Sequence, residues 1–312
     1  MKIAFCDCFS GISGDMLLAS LIDAGMPLAH LQQQLAMLAL PEKYELVATE
    51  THKGALRACS VSVDIAESSL SLHRHLSDIL DMIAASGLSD RVKKDSSAVF
   101  ELLAQAEARV HGEPVEHVHF HEVGAVDSIV DIVGAAIGLE FLGIEQLYAS
   151  ALPYGSGQVQ SQHGLLPLPA PATLQVAQLA HIPLSPLATE FELVTPTGAA
   201  ITGALARFER PPLVVTGLGV GAGKRDLAWP NIMRLIVGET SPAGIRQMVL
   251  IETNIDDMNP QLYGHVMNRL FEAGARDVYM TPIYMKKNRP GTMLGVLALR
   301  EDEYKLARLI LE

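Results

Sequence analysis

The chain has 312 residues, 49% hydrophobic and 19% charged, which supplies about two domains with full cores and excludes extended disorder. Twenty-three Lys and Arg against 35 Asp and Glu leave a formal charge of −12. That balance disfavours non-specific hold on phosphate backbones or anionic membranes, so neither nucleic acid nor membrane is an expected partner. In chain order, residues 2–7 read as a strand. Asp7 ends the apolar run well short of a signal peptide, and the expected location is cytoplasmic. Phe9–Asp15 is a glycine loop before a helix over 16–24, which Gly25 and Pro27 stop, and a second helix follows over 28–39. Strands at 44–51 and 55–65 pair around Lys53-Gly54, and helices return at 76–85 and 89–110. A histidine-rich loop leads into a buried helix from Gly124, whose most apolar stretch, 129–144, is shorter than the roughly 20 residues that span a bilayer. Loop with short strands covers 153–171, helices follow at 172–179 and 197–206, and strands at 213–220 and 232–237 flank a Gly-rich turn.

Ser241–Gly244 reads as a linker between domains 1–240 and 245–312. Beyond it come a strand over 247–253, a helix over 259–272, strands over 277–285 and 292–300, and a helix from 301. That order is βαββα, a ferredoxin-like unit without its last strand, whose sheet would keep an unpaired edge. The expected fold class is α+β (mixed α/β): a larger N-terminal α/β domain followed by a truncated ferredoxin-like unit.

Four of the eleven histidines, His111, His117, His119 and His121, fall close together, and Glu122 follows directly. If 117–121 is extended, His117, His119 and His121 project to one side, because strand side chains alternate with period two. Imidazole suits Zn, Cu, Fe or Ni, so the spacing does not choose the ion. Asp127 and Asp131 share a face of the following helix, as further ligands or as groups that orient the imidazoles. His73 and His75 form a second His-x-His pair. The plainer reading makes these histidines solvated loop residues or helix-end partners.

Ser10-Gly11-Ile-Ser13-Gly14-Asp15 sets N–H groups and hydroxyls at a helix N-terminus, a place for a phosphate; alternatively Ser13 caps the helix while Gly11 and Gly14 allow a tight turn. Gly217–Asp226 is also glycine-rich, but Pro230 and a strand stand where a nucleotide-binding fold would place a helix. In the C-terminal unit, Asp256 and Asp257 precede a helix, and Lys286, Lys287 and Arg289 follow the second strand. Carboxylates and cations facing one cleft would suit a divalent ion with phosphates; otherwise Asp256 or Asp257 caps the helix and the basic run is a solvated turn. Three cysteines without a CxxC pair exclude a disulfide framework, and Cys8 is either core packing or a thiolate ligand beside the glycine loop.

Together, 7–16, 73–78, 119–134, 168–173, 192–198, 219–223 with Pro230-Asn231, 254–258 and 285–290 resemble the LarC-type nickel-insertion family, from residue 1 to the end. The resemblance implies a CTP-dependent nickel insertase, a cyclometallase of the lyase class. Such an enzyme inserts nickel into pyridinium-3,5-bisthiocarboxylic acid mononucleotide and forms the nickel-pincer cofactor of lactate racemase-type enzymes. The implied cofactors are nickel and CTP with manganese or magnesium. The implied partners are the small-molecule nucleotide, a lactate racemase-type acceptor enzyme and further copies of the chain as a homo-oligomer.

On this reading 1–240 is the nickel and substrate domain and 245–312 a partial nucleotide domain. The metal set is His73, His75, His119, His121, Glu122 and Asp131, and the catalytic set is His121, Glu122 and Asp127. Ser10, Gly11, Ser13, Gly14 and Asp15 hold the substrate phosphate, while Asp256, Asp257, Lys286, Lys287 and Arg289 hold the cytidine nucleotide. Family members usually continue further, so the chain is expected to bind nickel but to turn CTP over poorly. The rival readings are a non-catalytic nickel carrier or store and a metal-dependent hydrolase.

Overall fold

The computed structural model describes residues 1–65, 74–120, 125–161, 164–240 and 248–311, without the side chains of His119 and Ser161. The fold is mixed α/β, and the chain divides into two compact units, Met1–Ser241 and Pro242–Glu312. The expected linker at 241–244 lies outside the described residues.

The first unit is built on a seven-stranded sheet. Its strands are β1 (Lys2–Asp7), β2 (Tyr44–Lys53), β3 (Leu56–Ile65), β4 (Gln146–Ala149), β5 (Ala206–Arg207), β6 (Val214–Ala222) and β7 (Ile232–Glu239), in the order β5-β4-β1-β7-β6-β3-β2. β1 runs parallel to β4 and antiparallel to β7, so the sheet is mixed. Alternation along β1 sets its two faces. Ala4 and Cys6 point into the main core, whereas Ile3 and Phe5 join Tyr148 in a smaller cluster.

Of the helices α1 (Gly14–Asp23), α2 (Leu28–Leu35), α3 (Leu76–Ala85), α4 (Asp90–His111), α5 (Val126–Phe141), α6 (Pro171–Leu179) and α7 (Pro196–Leu205), α1 lies on the sheet with α5 and α7 at its side, while α4 packs on α3, α5, α6 and α7, and α2 on α5. The apolar run of α5 explains its place, since twelve of its sixteen residues are buried. α4 is capped at Ser89, whose Oγ accepts from the Val92 N–H at 3.1 Å, and Gly112 ends it with φ 68°.

The glycines of 217–222 lie inside β6 rather than in a turn. A Cβ at Gly219 or Gly221 would overlap the Ser20 or Met16 carbonyl of α1, so these glycines let the helix backbone settle directly on the strand. β6 pairs with β3 only at Gly221–Cys59, and Asp23 of α1 accepts the Val220 N–H at 2.9 Å.

Two other expectations change in detail. The helix expected over 28–39 ends at Leu35, followed by a 3-10 turn over Ala36–Leu38 that stops where Ala39 turns left-handed at φ 50°. His117 closes a 3-10 turn, Val115–His117, so the extended segment is His119–Phe120 and the period-two alignment does not reach His117.

The second unit contains β8 (Met248–Ile255), α8 (Tyr263–Glu272), β9 (Asp277–Met285), β10 (Arg289–Leu299) and α9 (Glu303–Leu311), a βαββα order. Its sheet runs β8-β10-β9, with β10 antiparallel to both neighbours, around a core of Leu270, Val278, Leu294, Val296 and Leu306. The helix expected from Asn259 begins instead as a 3-10 turn, Pro260–Leu262, before α8. β10 begins earlier than expected, at Arg289. Pro290 is tolerated there because β8 pairs with β10 only up to Thr292, beyond the proline.

Candidate functional site

The glycine loop before α1 is held by backbone bonds. Gly11 N–H donates to the Cys8 carbonyl at 2.9 Å, Ile12 N–H to the Leu193 carbonyl at 2.9 Å, and Thr195 N–H to the Ile12 carbonyl at 3.2 Å. Gly11 has φ 108°, and a Cβ there would overlap the Leu193 carbonyl, so both turn and docking require glycine. The 193–195 segment then starts α7, with Thr195 Oγ1 accepting from Gly198 N–H at 3.2 Å and Pro196 in the first turn. Gly14 faces α5, where a Cβ would lie 2.5 Å from Asp131 Oδ2.

These contacts bring the N-terminal ends of α1, α5 and α7 to one cleft of about 260 Å³. Ser13, Gly14 and Asp15 line it with Asp127, Ser128 and Asp131 of α5, Glu192, Thr195 and Thr197, and the loop residues Lys224, Arg225 and Asn231. Helix N-termini carry positive partial charge, which suits Asp15 and Asp127 in the first turns.

Both signs of charge meet in this cleft. Asp15 pairs with Lys224 at 3.1 Å, and its Oδ1 accepts from the Met16 N–H at 2.9 Å and from the Ser13 hydroxyl. Asp131 Oδ1 is buried with no hydrogen-bond partner among the described residues. Burial first, then the neighbouring Asp15 and Asp127, push the Asp131 carboxyl well above the usual carboxylate range, with Lys224 acting the other way. Burial opposes the charge on Lys224, yet Asp15, Asp131 and Asp127 hold its pKa above the ordinary value. The cleft therefore combines a buried carboxyl whose pKa is raised, further carboxyl groups, hydroxyls and two basic side chains. It can receive a ligand that itself carries both charges, or a cation and a phosphate together.

Of the expected phosphate loop, Ser13, Gly14 and Asp15 line the cleft, whereas Gly11 serves the docking on Leu193. Ser10 is buried behind the wall, where its hydroxyl accepts from Trp229 Nε1 at 2.9 Å and lies 3.3 Å from Asn231 Oδ1. Ser13 occupies the N-cap of α1 but its side chain makes no capping bond, because it is turned to Asp15. Asp127 and Asp131 do converge here. Glu192, Thr195, Thr197, Lys224, Arg225 and Asn231 were not among the expected site residues; the Thr-Pro-Thr helix start and the basic pair after the glycines were the available signals.

The two His-x-His motifs meet through their backbones. Arg74–His75 and His119–Phe120 form an antiparallel ladder that sets His75 opposite His119. Asp78 anchors it by accepting the His75 N–H at 2.9 Å, and buried Arg74 is bound by buried Glu42 at 2.6 Å. His73, His121 and Glu122 lie outside the described residues, as does the His119 side chain. Among the described residues, no group of three or more His, Cys, Asp and Glu is arranged to hold a metal. His111 is a helix-end partner, 3.6 Å from Glu107. Cys6 and Cys8 are fully buried among the apolar side chains of the main core, the place of packing groups, and burial raises the Cys6 thiol to about 12 and the Cys8 thiol also upward.

In the second unit, Asp256 at the end of β8 and Arg289 at the start of β10 come within 4.0 Å. Lys286 and Lys287 are exposed in the tight connection between β9 and β10, where Lys287 has φ 61°. The cap before α8 is Asn259, whose Oδ1 accepts from Gln261 N–H at 3.1 Å; Asp256 and Asp257 precede it and are exposed rather than capping.

The fold and cleft define a mixed α/β protein with a polar site of both charges and a separate βαββα unit. The family described as nickel insertion protein matches residues 4–312, and the chain belongs to that family. Relatives whose names also refer to nickel insertion include one from Citrifermentans bemidjiense, 51% identical over 315 residues, covering 100% of this chain and 81% of the relative. One from Wolinella succinogenes is 48% identical over 315 residues (100% of this chain, 79% of the relative). One from Dictyoglomus thermophilum is 44% identical over 313 residues (99% and 80%). A solved apo structure titled as LarC2, the C-terminal domain of a cyclometallase in the synthesis of the NPN cofactor of lactate racemase, is 50% identical over 20% of this chain and 44% of that chain, with a TM-score of 0.20. Among the described residues, no helix is long and apolar enough to cross a membrane.

Proposed function

We propose that this protein inserts nickel into pyridinium-3,5-bisthiocarboxylic acid mononucleotide in a CTP-dependent reaction, forming the nickel-pincer cofactor for a lactate racemase-type acceptor. The observation that carries this reading beyond the family is the ladder that joins the two His-x-His motifs. Nickel, the metal substrate, would be received by His73, His75, His119, His121 and Glu122, since imidazole suits it. From Phe120 the chain runs into α5, whose first two turns carry Asp127 and Asp131 to the cleft. The cleft would take the nucleotide: its cationic ring suits the carboxyl groups of Asp15 and Asp127, and its phosphate suits Lys224, Arg225 and the hydroxyls of Ser13 and Thr197. Metal–carbon bond formation releases a ring proton, and His121, Glu122 and Asp127 are the candidate acceptors.

The second unit would hold CTP. Asp256 beside Arg289 fits a divalent ion shared with phosphate oxygens, the protein supplying few ligands and the nucleotide and water the rest. Manganese or magnesium there would neutralise phosphate charge, while Lys286, Lys287 and Arg289 orient the phosphates. Localisation in the cytoplasm, where thiols stay reduced, agrees with three free cysteines.

The test is calorimetric titration of nickel into the wild type and the His119→Ala/His121→Ala variant, followed by mass-spectrometric detection of the nickel-bound product with CTP and manganese. Stoichiometric binding lost in the variant, with product formed slowly by the wild type, is the expected result. Nickel binding unchanged in the variant would overturn the histidine assignment, and absence of product with bound nickel would favour a carrier.

A further inference from the structure

The two-residue hairpin between β2 and β3 ends at Lys53 paired with Leu56, with Gly54 at φ 62° making the tight turn. Its tip rests on the 223–231 loop, Gly54 facing Pro230. Lys53 is 13% exposed, low for a lysine at a hairpin tip, because its ammonium is spent on that loop. Nζ donates to the Lys224 and Arg225 carbonyls, each at 3.4 Å, and to Asp226 Oδ1 at 2.7 Å. The Arg225 carbonyl also accepts from Asn231 Nδ2 at 2.9 Å, and Gly223 N–H donates to the Asn231 carbonyl at 2.9 Å. The loop is therefore closed at its base by Asn231 and held at its crest by Lys53.

The residues whose carbonyls Lys53 holds are the two that bring positive charge to the cleft. Lys224 reaches Asp15, and the Arg225 guanidinium lies 5.8 Å from the Phe191 ring centre, beside the lining residue Glu192. As an ion pair alone, Lys53–Asp226 would count for little, since Asp226 is 92% exposed and solvent screens it. Three donor contacts to consecutive residues do something else: they fix the peptides from which Lys224 and Arg225 project.

We propose that Lys53 is a positioning residue for this cleft, holding the 224–226 peptides so that Lys224 and Arg225 meet the phosphate of a bound pyridinium mononucleotide. The assignment rests on the reading of the cleft as the nucleotide site. Lys53 acts through the loop and touches no ligand itself, so its effect depends on the two cations it presents.

The experiment titrates nicotinic acid mononucleotide, a pyridinium mononucleotide, into the full chain by calorimetry, for wild type, Lys53→Met, Lys53→Arg, Lys224→Met/Arg225→Met and the triple variant. Lys53→Met is expected to weaken binding about tenfold, and Lys53→Arg, which keeps charge and donors, to restore most of it. In the Lys224→Met/Arg225→Met background the Lys53→Met change is expected to add nothing, because coupled positions are non-additive. Wild-type affinity in Lys53→Met, or a full additional loss in the triple variant, overturns the positioning role. Wild-type affinity in Lys224→Met/Arg225→Met instead overturns the nucleotide reading of the cleft, and the proposal with it.

Discussion

Two glycine-rich segments of the N-terminal unit, 10–15 and 217–223, look alike in sequence and serve different ends. In the first, the absent side chains admit a carbonyl at Gly11 and a carboxylate at Gly14, and the loop opens onto a cleft. In the second, Gly219 and Gly221 sit in the middle of a strand, where the absent side chains admit the backbone of α1. A glycine motif is thus interpreted by what a Cβ would meet: polar groups at a site in one case, a packed helix in the other. Only at its end, where Gly223 leads into Lys224, does the second segment contribute to the cleft.

The largest effect expected from this contrast is on stability. Gly221→Val would drive a branched side chain into the Met16 carbonyl of α1, with no flexible group able to yield, and should cost at least about 4 kcal/mol. Urea unfolding measures it; a loss under about 1 kcal/mol would mean that α1 does not lie on β6 as described.

Asp131→Asn addresses the first segment's side. Because burial raises its carboxyl pKa in the fold, Asp131 favours the folded state while protonated, below the ordinary carboxylate range. That contribution is lost as pH rises through the raised value. In chelator-treated buffer, the variant should therefore be more stable than wild type at pH 8, by about 1 kcal/mol, and gain nothing near pH 4. A constant difference across that range would contradict the buried, unpartnered carboxyl.

Ser13→Ala should be smaller still in stability, within about 0.5 kcal/mol, since Ser13 makes no capping bond, whereas Ser89→Ala removes a real cap and should cost about 1 kcal/mol. Thermal unfolding of the pair separates them, and equal losses would return Ser13 to a capping role. The least effect is expected at Cys8: Cys8→Ala should leave nickel binding unchanged, and native Cys6 and Cys8 should resist alkylation at pH 8 until the chain unfolds.

Much of the fold is legible along the chain. The β2–β3 hairpin, α3, α4, the apolar α5 and the βαββα order follow from period, turn residues and caps. The departures are local: Ala39 ends a helix by turning left-handed, Asn259-Pro260 delays another, and the 3-10 turn at Val115–His117 takes His117 out of the histidine strand. In the site, Asp15, Asp127 and Asp131 were legible as candidates. Their gathering with Lys224, Arg225 and Thr197 was not, because nothing in local spacing relates residues so far apart along the chain.

The order of strands and helices, the histidine pairs and the acidic positions are properties of neighbours in the chain, set by propensity and periodicity, and the residues alone specify them. Which glycines face a cleft, which carboxylate loses its water and which lysine holds a loop depend on packing between distant segments. Packing α1, α5 and α7 together takes Asp131 out of water and sets it near Asp15 and Asp127, which raises its pKa, and brings Lys224 to its partner Asp15.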